Sequence, residues 1–306
     1  MRRMVWQFVR IETVAALVGA WLAAALGLGL ATSAGAVPTA ALMALGPLLG
    51  GLLLQIRHSL ELASRIDRLA RESKDTLNTV RRVKTDVPKD LRQTFRQLEA
   101  LQNLSTMLPA KDVLPVTRGW AASPDLLMVL VDLVISGRPS LVVECGSGAS
   151  TLWLALAMRR FEIDGRIIAL EHDSVFGGKT RDFLARHGVR DLAEVRDAPL
   201  ESFSLDGATY SWYAKRTWED LTGIDLLFVD GPPAATGPKA RYPALPLLSE
   251  SLSSVATIVL DDLVVPDMQE VLRLWLDAHP DFGSEMLPLE KQAAVLRRSS
   301  RHPINT

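Results

Sequence analysis

Leu141-Val142-Val143-Glu144-Cys145-Gly146-Ser147-Gly148-Ala149-Ser150-Thr151-Leu152-Trp153 is the stretch that decides the fold. An apolar run enters a turn with two glycines and leaves in a helical pattern. That order is strand, tight turn, helix, the place where an α/β sheet receives a nucleotide-like ligand at the carboxyl ends of its strands. Glycine lets the backbone approach a ligand with no Cβ in the way. Gly-x-Gly by itself suits a dinucleotide equally well. Glu144 shifts the balance, because a carboxylate two residues before the first glycine is poorly placed against a pyrophosphate and well placed against a ligand's cationic amino group. Cys145 is the single cysteine, so no intramolecular disulfide forms. Inside the glycine loop it reads as a small packing residue rather than a nucleophile.

Working outward, four more strands line up on the same side. Arg166-Ile167-Ile168-Ala169-Leu170 ends in Glu171-His172-Asp173, and Glu171 is the acidic side chain expected to accept ribose hydroxyls. Glu194-Val195-Arg196-Asp197-Ala198 is a short third strand whose end borders an adenine. Ile224–Val229 ends in Asp230-Gly231-Pro232-Pro233, and Thr257–Leu260 ends in Asp261-Asp262. Glu285–Leu289 and Ala293–Leu296 are two further candidate strands near the C-terminus. The expected fold is therefore α/β: a Rossmann-like, mostly parallel seven-stranded sheet with helices on both faces.

The loop E-C-G-S-G-A-S, the strand end A-L-E-H-D, F-V-D-G-P-P and V-L-D-D together resemble the class I S-adenosylmethionine (SAM) dependent methyltransferases over roughly residues 115 to 300. The resemblance implies SAM as cofactor, and Glu285–Leu289 with Ala293–Leu296 as the antiparallel hairpin that closes that family's sheet. Glu144, Gly146, Ser147, Gly148 and Ser150 would hold its methionine part, Glu171 its ribose, and Asp197 or Ala198 the adenine edge. His172 would stack near the adenine or stand by. Ser150 takes the place of a glycine often found in that family's loop.

Asp230, Asp261 and Asp262 converge at one rim and repel unless a cation or protons neutralise them, and hard oxygen ligands suit Mg²⁺. With Lys239-Ala240-Arg241-Tyr242 between them, the set is similar to the metal-dependent O-methyltransferases of the catechol and macrocin types. That similarity implies Mg²⁺ on Asp230, Asp261 and Asp262, with Lys239 as the base and Asp230 beside the reacting oxygen. Two departures stand out: the second aspartate of Asp261-Asp262 replaces an asparagine, and the loop from Asp230 to Lys239 is longer. Without a metal, the same aspartates are turn and helix caps.

The N-terminal third is of another kind. No charged residue occurs from Thr13 to Ile56, and two apolar segments, 13–31 and 40–56, are each near the ~20 residues that cross a bilayer as a helix. A cleaved signal peptide around Ala34–Ala36 explains the first segment but not the second. Arg2, Arg3 and Arg10 precede the pair and Arg57, Arg65 and Arg68 follow it, so positive charge places both ends in the cytoplasm of a two-span cell-membrane protein.

Residues 57–107 carry eleven Lys or Arg against seven Asp or Glu, with apolar positions at threes and fours. They predict an amphipathic stalk in two helices, 57–86 and 89–106, broken near Pro88. One face packs on itself, on a second copy in a homo-oligomer, or on the catalytic domain; a basic helix lying on headgroups is the sharper alternative. The domains are then 1–56, 57–107 and 108–306. The last holds 20 basic and 27 acidic residues, a balance that favours a small-molecule or glycan acceptor over nucleic acid. Trp120, before the Ser123-Pro124-Asp125 helix start, lines the cofactor pocket or staples that helix. A non-catalytic scaffold and a nicotinamide dehydrogenase are the competing readings; the second lacks a hydride-relay residue.

Overall fold

Strand β1 (Leu141–Cys145) is buried along its whole length because it lies mid-sheet with helices on both faces. In the computed structural model, which describes residues 16, 18–24 and 36–298, its neighbours are β2 (Arg166–Glu171) and β6 (Ile224–Val229), both parallel. β3 (Ala193–Asp197) extends the sheet beyond β2, and β7 (Leu252–Leu260) beyond β6. β8 (Phe282–Leu287) and β9 (Ala293–Arg298) form an antiparallel hairpin with β9 against β7, giving the order β3-β2-β1-β6-β7-β9-β8. This is the Rossmann-like seven-stranded sheet the sequence predicts. The order reverses between β1 and β6, which opens a crevice over their carboxyl ends.

The strand pleat divides the core in two. Val143 and Cys145 of β1 face the side covered by α5 (Ala244–Leu248) and α6 (Pro266–Ala278), where Trp275 is fully buried and its indole donates to Tyr242 O at 2.8 Å. Val142 faces the side of α2 (Pro124–Gly137), α3 (Ala149–Arg160) and α4 (Ser174–His187), where Trp153 is fully buried. Burying side chains of this size contributes about 1.5–3 kcal/mol each. At the start of α2, Asp125 rather than Ser123 caps: its Oδ1 accepts from Leu126 N at 2.9 Å, and the Ser123 hydroxyl donates to that same oxygen.

One element was not foreseen. β4 (Leu200–Leu205) and β5 (Ala208–Tyr213) form a separate antiparallel hairpin. Its two-residue turn is Asp206-Gly207 with φ of 49° and 77°, the left-handed pair that a twisted hairpin requires.

By backbone contacts the chain forms two compact units, Met1–Pro88 and Lys89–Thr306. Helix α1 (Ala36–Met107) is one uninterrupted helix, which corrects the expected break at Pro88. Proline deletes a single donor in the ladder, and on an exposed helix water satisfies the carbonyl left over. Nothing between 55 and 62 ends the helix either; Arg57 Nε bonds Glu61 at 3.0 Å one turn on. In the second unit, Gln97, Ala100 and Leu104 of α1 are buried against the α2 side of the core.

Among the described residues no helix is long and apolar enough to cross a membrane. The expected first span, 13–31, lies mostly outside the described residues, and the expected second, 40–56, is the beginning of α1. Within the first unit Trp21 packs on Gly46, where a Cβ would come within 2.3 Å of the indole, and Val18 packs on Gly50.

Candidate active site

The crevice at the carboxyl ends of β1, β2 and β6 holds a cavity of about 610 Å³. Gly146, Ser147, Gly148 and Ser150 form one wall, Glu171 and His172 a second, and Asp230, Arg241, Asp262 and Lys291 a third. Gly146 has φ +105°, a conformation that side chains resist, so the backbone itself calls for glycine there. Gly231 is required for a different reason: a Cβ would meet the Tyr213 hydroxyl at 2.3 Å.

Glu171 sits where the sequence places it. Its Oε2 accepts from Ser147 N at 3.1 Å and from the Ser147 hydroxyl at 3.0 Å; its Oε1 accepts from Asp173 N at 2.9 Å and lies 3.2 Å from His172 Nδ1. Ser147 Oγ is also 3.1 Å from Thr180 Oγ1, so that hydroxyl can turn to Thr180 and free an acceptor site for a ligand diol. His172 lines the same wall, its ring 6.5 Å from that of Tyr213.

Glu144 is placed differently from the expectation of a cavity-facing carboxylate. Among the described residues it is not part of the lining; it is buried at the first turn of α3, with no hydrogen-bond partner for either oxygen. Burial pushes its carboxyl up to about 7, and the nearby Ser150 and Thr151 hydroxyls offset part of that rise. A buried carboxyl left orphaned directly under a glycine loop fits a ligand that brings a cationic amino group to that loop. The thiol of Cys145 is raised by burial and stays protonated, in keeping with a packing role.

The adenine edge is a correction. Asp197 pairs with Arg181 and Ala198 N donates to Glu171 O at 2.7 Å; among the described residues neither lines the cavity. The reason is the end of β3, where an arginine from α4 also takes Val195 O and turns the aspartate away. Exposed aromatics stand at the mouth instead, Phe176 at the start of α4 and Trp120, which is 88% exposed and so is no staple for α2.

The three aspartates do converge: Asp230, Asp261 and Asp262 each offer a carboxylate oxygen within 4.8 Å of the others. Asp262 reaches the cluster from a left-handed turn with φ +65° after β7. Arg241, itself buried, stands among them. Its Nη2 donates to Asp230 Oδ1 at 3.1 Å and Asp262 Oδ2 at 2.6 Å, and its Nη1 to Asp261 O at 3.1 Å. Lys291 Nζ adds contacts to Asp262 Oδ1 at 3.4 Å, Asp261 Oδ2 at 3.9 Å and Ala121 O at 3.2 Å. Burial raises Asp230 to about 6 with Arg241 opposing, and Asp261 to about 8 with the charges of Asp230 and Asp262 adding.

Lys239, the expected base, is turned elsewhere. It adopts φ +49°, its backbone N donates to Asp267 Oδ2 at 2.6 Å, and among the described residues its side chain is not part of the cavity wall. The tight turn Lys239–Tyr242 presents Arg241 instead. Lys291 and Tyr213 were not read from the sequence as site residues. Lys291 arrives on the β8–β9 turn, and Tyr213, fully buried with a partnerless hydroxyl among the described residues, on the unforeseen β5.

Residues 143–263 match a protein family described as a methyltransferase domain. That match makes the segment from the glycine loop to the Asp261-Asp262 strand end similar to a methyltransferase domain. Similar solved structures include a methyltransferase from Geobacter sulfurreducens (17% identity, 66% of this chain and 89% of that chain covered, TM-score 0.46). Others are an O-methyltransferase from Bacillus cereus in complex with SAH (21%, 66% and 90%, 0.45) and the O-methyltransferase TomG from Streptomyces achromogenes, involved in tomaymycin synthesis, in complex with SAM (19%, 66% and 90%, 0.42). No curated protein matches the chain.

Proposed function

We propose that this chain transfers a methyl group from SAM to a hydroxyl of a small-molecule, sugar or glycolipid acceptor, and that residues before the stalk attach it to the cytoplasmic face of a membrane. The observation that carries the reading is one cavity with a glycine loop and Glu171 on one side and the Arg241 carboxylate cluster on the other. Bound SAM supplies an electrophilic methyl carbon on a sulfonium. The chain's task is then alignment and proton handling. Gly146 and Gly148 admit the ligand backbone, Glu144 answers its amino group, and Glu171 takes the ribose hydroxyls. Across the cavity, Asp230 and Asp262 are the carboxylates within reach of an acceptor hydroxyl, and Arg241 holds both in place.

Membrane attachment is supported by the charge-free run from Thr13 to Ile56 and by the exposed leucines of α1, of which 45, 48, 49, 52 and 53 share one face and 54 lies opposite. The exposed row Leu62, Ile66, Leu69, Leu77 and Val80 supports pairing of α1 with a second copy.

The test is equilibrium binding of SAM against NAD, followed by transfer of a labelled methyl group into small-molecule, glycan and glycolipid fractions. Saturable SAM binding with label in a hydroxylated acceptor is expected. Absence of SAM binding by a folded protein refutes the reading, and label on nitrogen or carbon refutes the hydroxyl.

A further inference from the structure

The resemblance to metal-dependent O-methyltransferases puts a divalent cation among Asp230, Asp261 and Asp262. We infer that Arg241, backed by Lys291, is the permanent cation of this cluster, so that the chain binds and needs no divalent metal there. This rests on the methyltransferase reading only for what an ion would have done; the charge arrangement stands without it.

Geometry carries the inference. Mg²⁺ takes its oxygens at about 2.0–2.1 Å and needs the space between them. Here the carboxylate oxygens lie within 4.8 Å of one another, close enough to surround a cation, but a guanidinium nitrogen already stands between two of them, 3.1 Å from Asp230 and 2.6 Å from Asp262. The guanidinium is also tied to Asp261 O at 3.1 Å, so an ion would have to break three hydrogen bonds of a buried arginine to enter. Charge agrees. Two side-chain cations, Arg241 and Lys291, already face the three carboxylates, so a dication would turn one excess negative charge into one excess positive charge.

The substitution has a chemical consequence for the acceptor. A metal would bind the reacting oxygen and lower its pKa; a guanidinium fixed by hydrogen bonds to Asp230, Asp262 and the Asp261 carbonyl forms no such bond to that oxygen. Activation falls to the carboxylates, which take the proton, and to Lys291, whose ammonium lines the cavity on long contacts and can donate to the acceptor oxygen as charge develops there. Arg241 is thus a positioning residue, and Lys291 the cationic group that meets the substrate.

Mn²⁺ serves as the probe, its binding to the purified full chain followed by electron paramagnetic resonance alongside SAM binding on the same sample. The wild type is expected to show no saturable Mn²⁺ binding up to about 1 mM, whether or not SAM is present. Arg241→Met, which exposes the carboxylates, is expected to gain a site that Asp230→Asn then removes. Stoichiometric Mn²⁺ on the wild type, lost in Asp230→Asn, overturns the inference. So does a folded Arg241→Met chain that gains nothing. If Arg241→Met fails to fold, Lys291→Met decides: with Arg241 still in place it should bind no Mn²⁺, and binding there overturns the inference. Failure of SAM to bind the wild type would count against the methyltransferase reading and leave the metal result standing.

Discussion

Replacing Glu144 by glutamine separates the energetic cost of the site from its use. The carboxyl is raised from 4.5 to about 7 by burial, so the folded chain holds this proton more tightly than the unfolded one. Stability credited to the protonated form is complete below pH 4.5 and is lost as pH rises to about 7, after which the loss is constant. At 1.36 kcal/mol per pKa unit the loss comes to about 3 kcal/mol. Asp230 and Asp261 titrate in the same direction, so wild-type stability alone does not isolate Glu144. The difference between wild type and Glu144→Gln isolates the Glu144 charge together with its smaller effect on Asp230. Urea unfolding of the full chain, read by tryptophan fluorescence at pH 5 and pH 8, should show wild type losing about 2.5 kcal/mol more than Glu144→Gln over that interval. The same variant should bind SAM about tenfold or more weakly at pH 8, the loss of one charge-assisted contact. Parallel pH profiles for the two proteins would refute the burial argument. Unchanged SAM affinity would leave Glu144 a structural acid with no part in the ligand.

Other substitutions test separate parts of the site. Gly146→Val, which puts a branched side chain at φ +105° against the ligand, should abolish SAM binding in calorimetry while far-ultraviolet dichroism stays that of the wild type. Lys239→Met should leave methyl transfer within about twofold of the wild type and Lys291→Met should lower it at least tenfold, a comparison of rates at saturating SAM that reverses if Lys239 is the base. Full-length chain should stay with membranes through a high-salt wash, whereas a chain beginning at residue 57 should not; release of the full-length protein by salt refutes the apolar anchor.

The sheet was legible because β1, β2, β6 and β7 are largely apolar runs, because four of the five parallel strands end at or just before a carboxylate, and because Gly146 and Gly148 mark the turn that faces the crevice. Glu171 was legible for the same reason. What failed was side-chain direction. Lys239 and Arg241 are two residues apart, and only the left-handed turn at Lys239 decides which of them enters the carboxylate cluster. Asp197 failed because its partner, Arg181, comes from a helix whose facing residues no strand pattern reveals. The β4–β5 hairpin carried a signal, Asp206-Gly207 between alternating apolar residues, that passed unread. Pro88 shows the reverse error: a breaker by propensity, it is absorbed by a long helix whose exposed carbonyls have water to turn to.

The hairpin also wires the crevice to an optical reporter. Tyr213 lines the cavity, its ring lies 5.2 Å from Trp212, and Trp212 lies 5.7 Å from Trp218, whose indole donates to Tyr213 O at 2.9 Å. At the hairpin tip Asp206 accepts the Tyr242 hydroxyl one residue from Arg241. A ligand that presses on Tyr213 therefore perturbs two indoles sealed from solvent. The chain's own emission spectrum becomes a titration curve, and candidate acceptors can be ranked by their effect on it without dye, label or turnover.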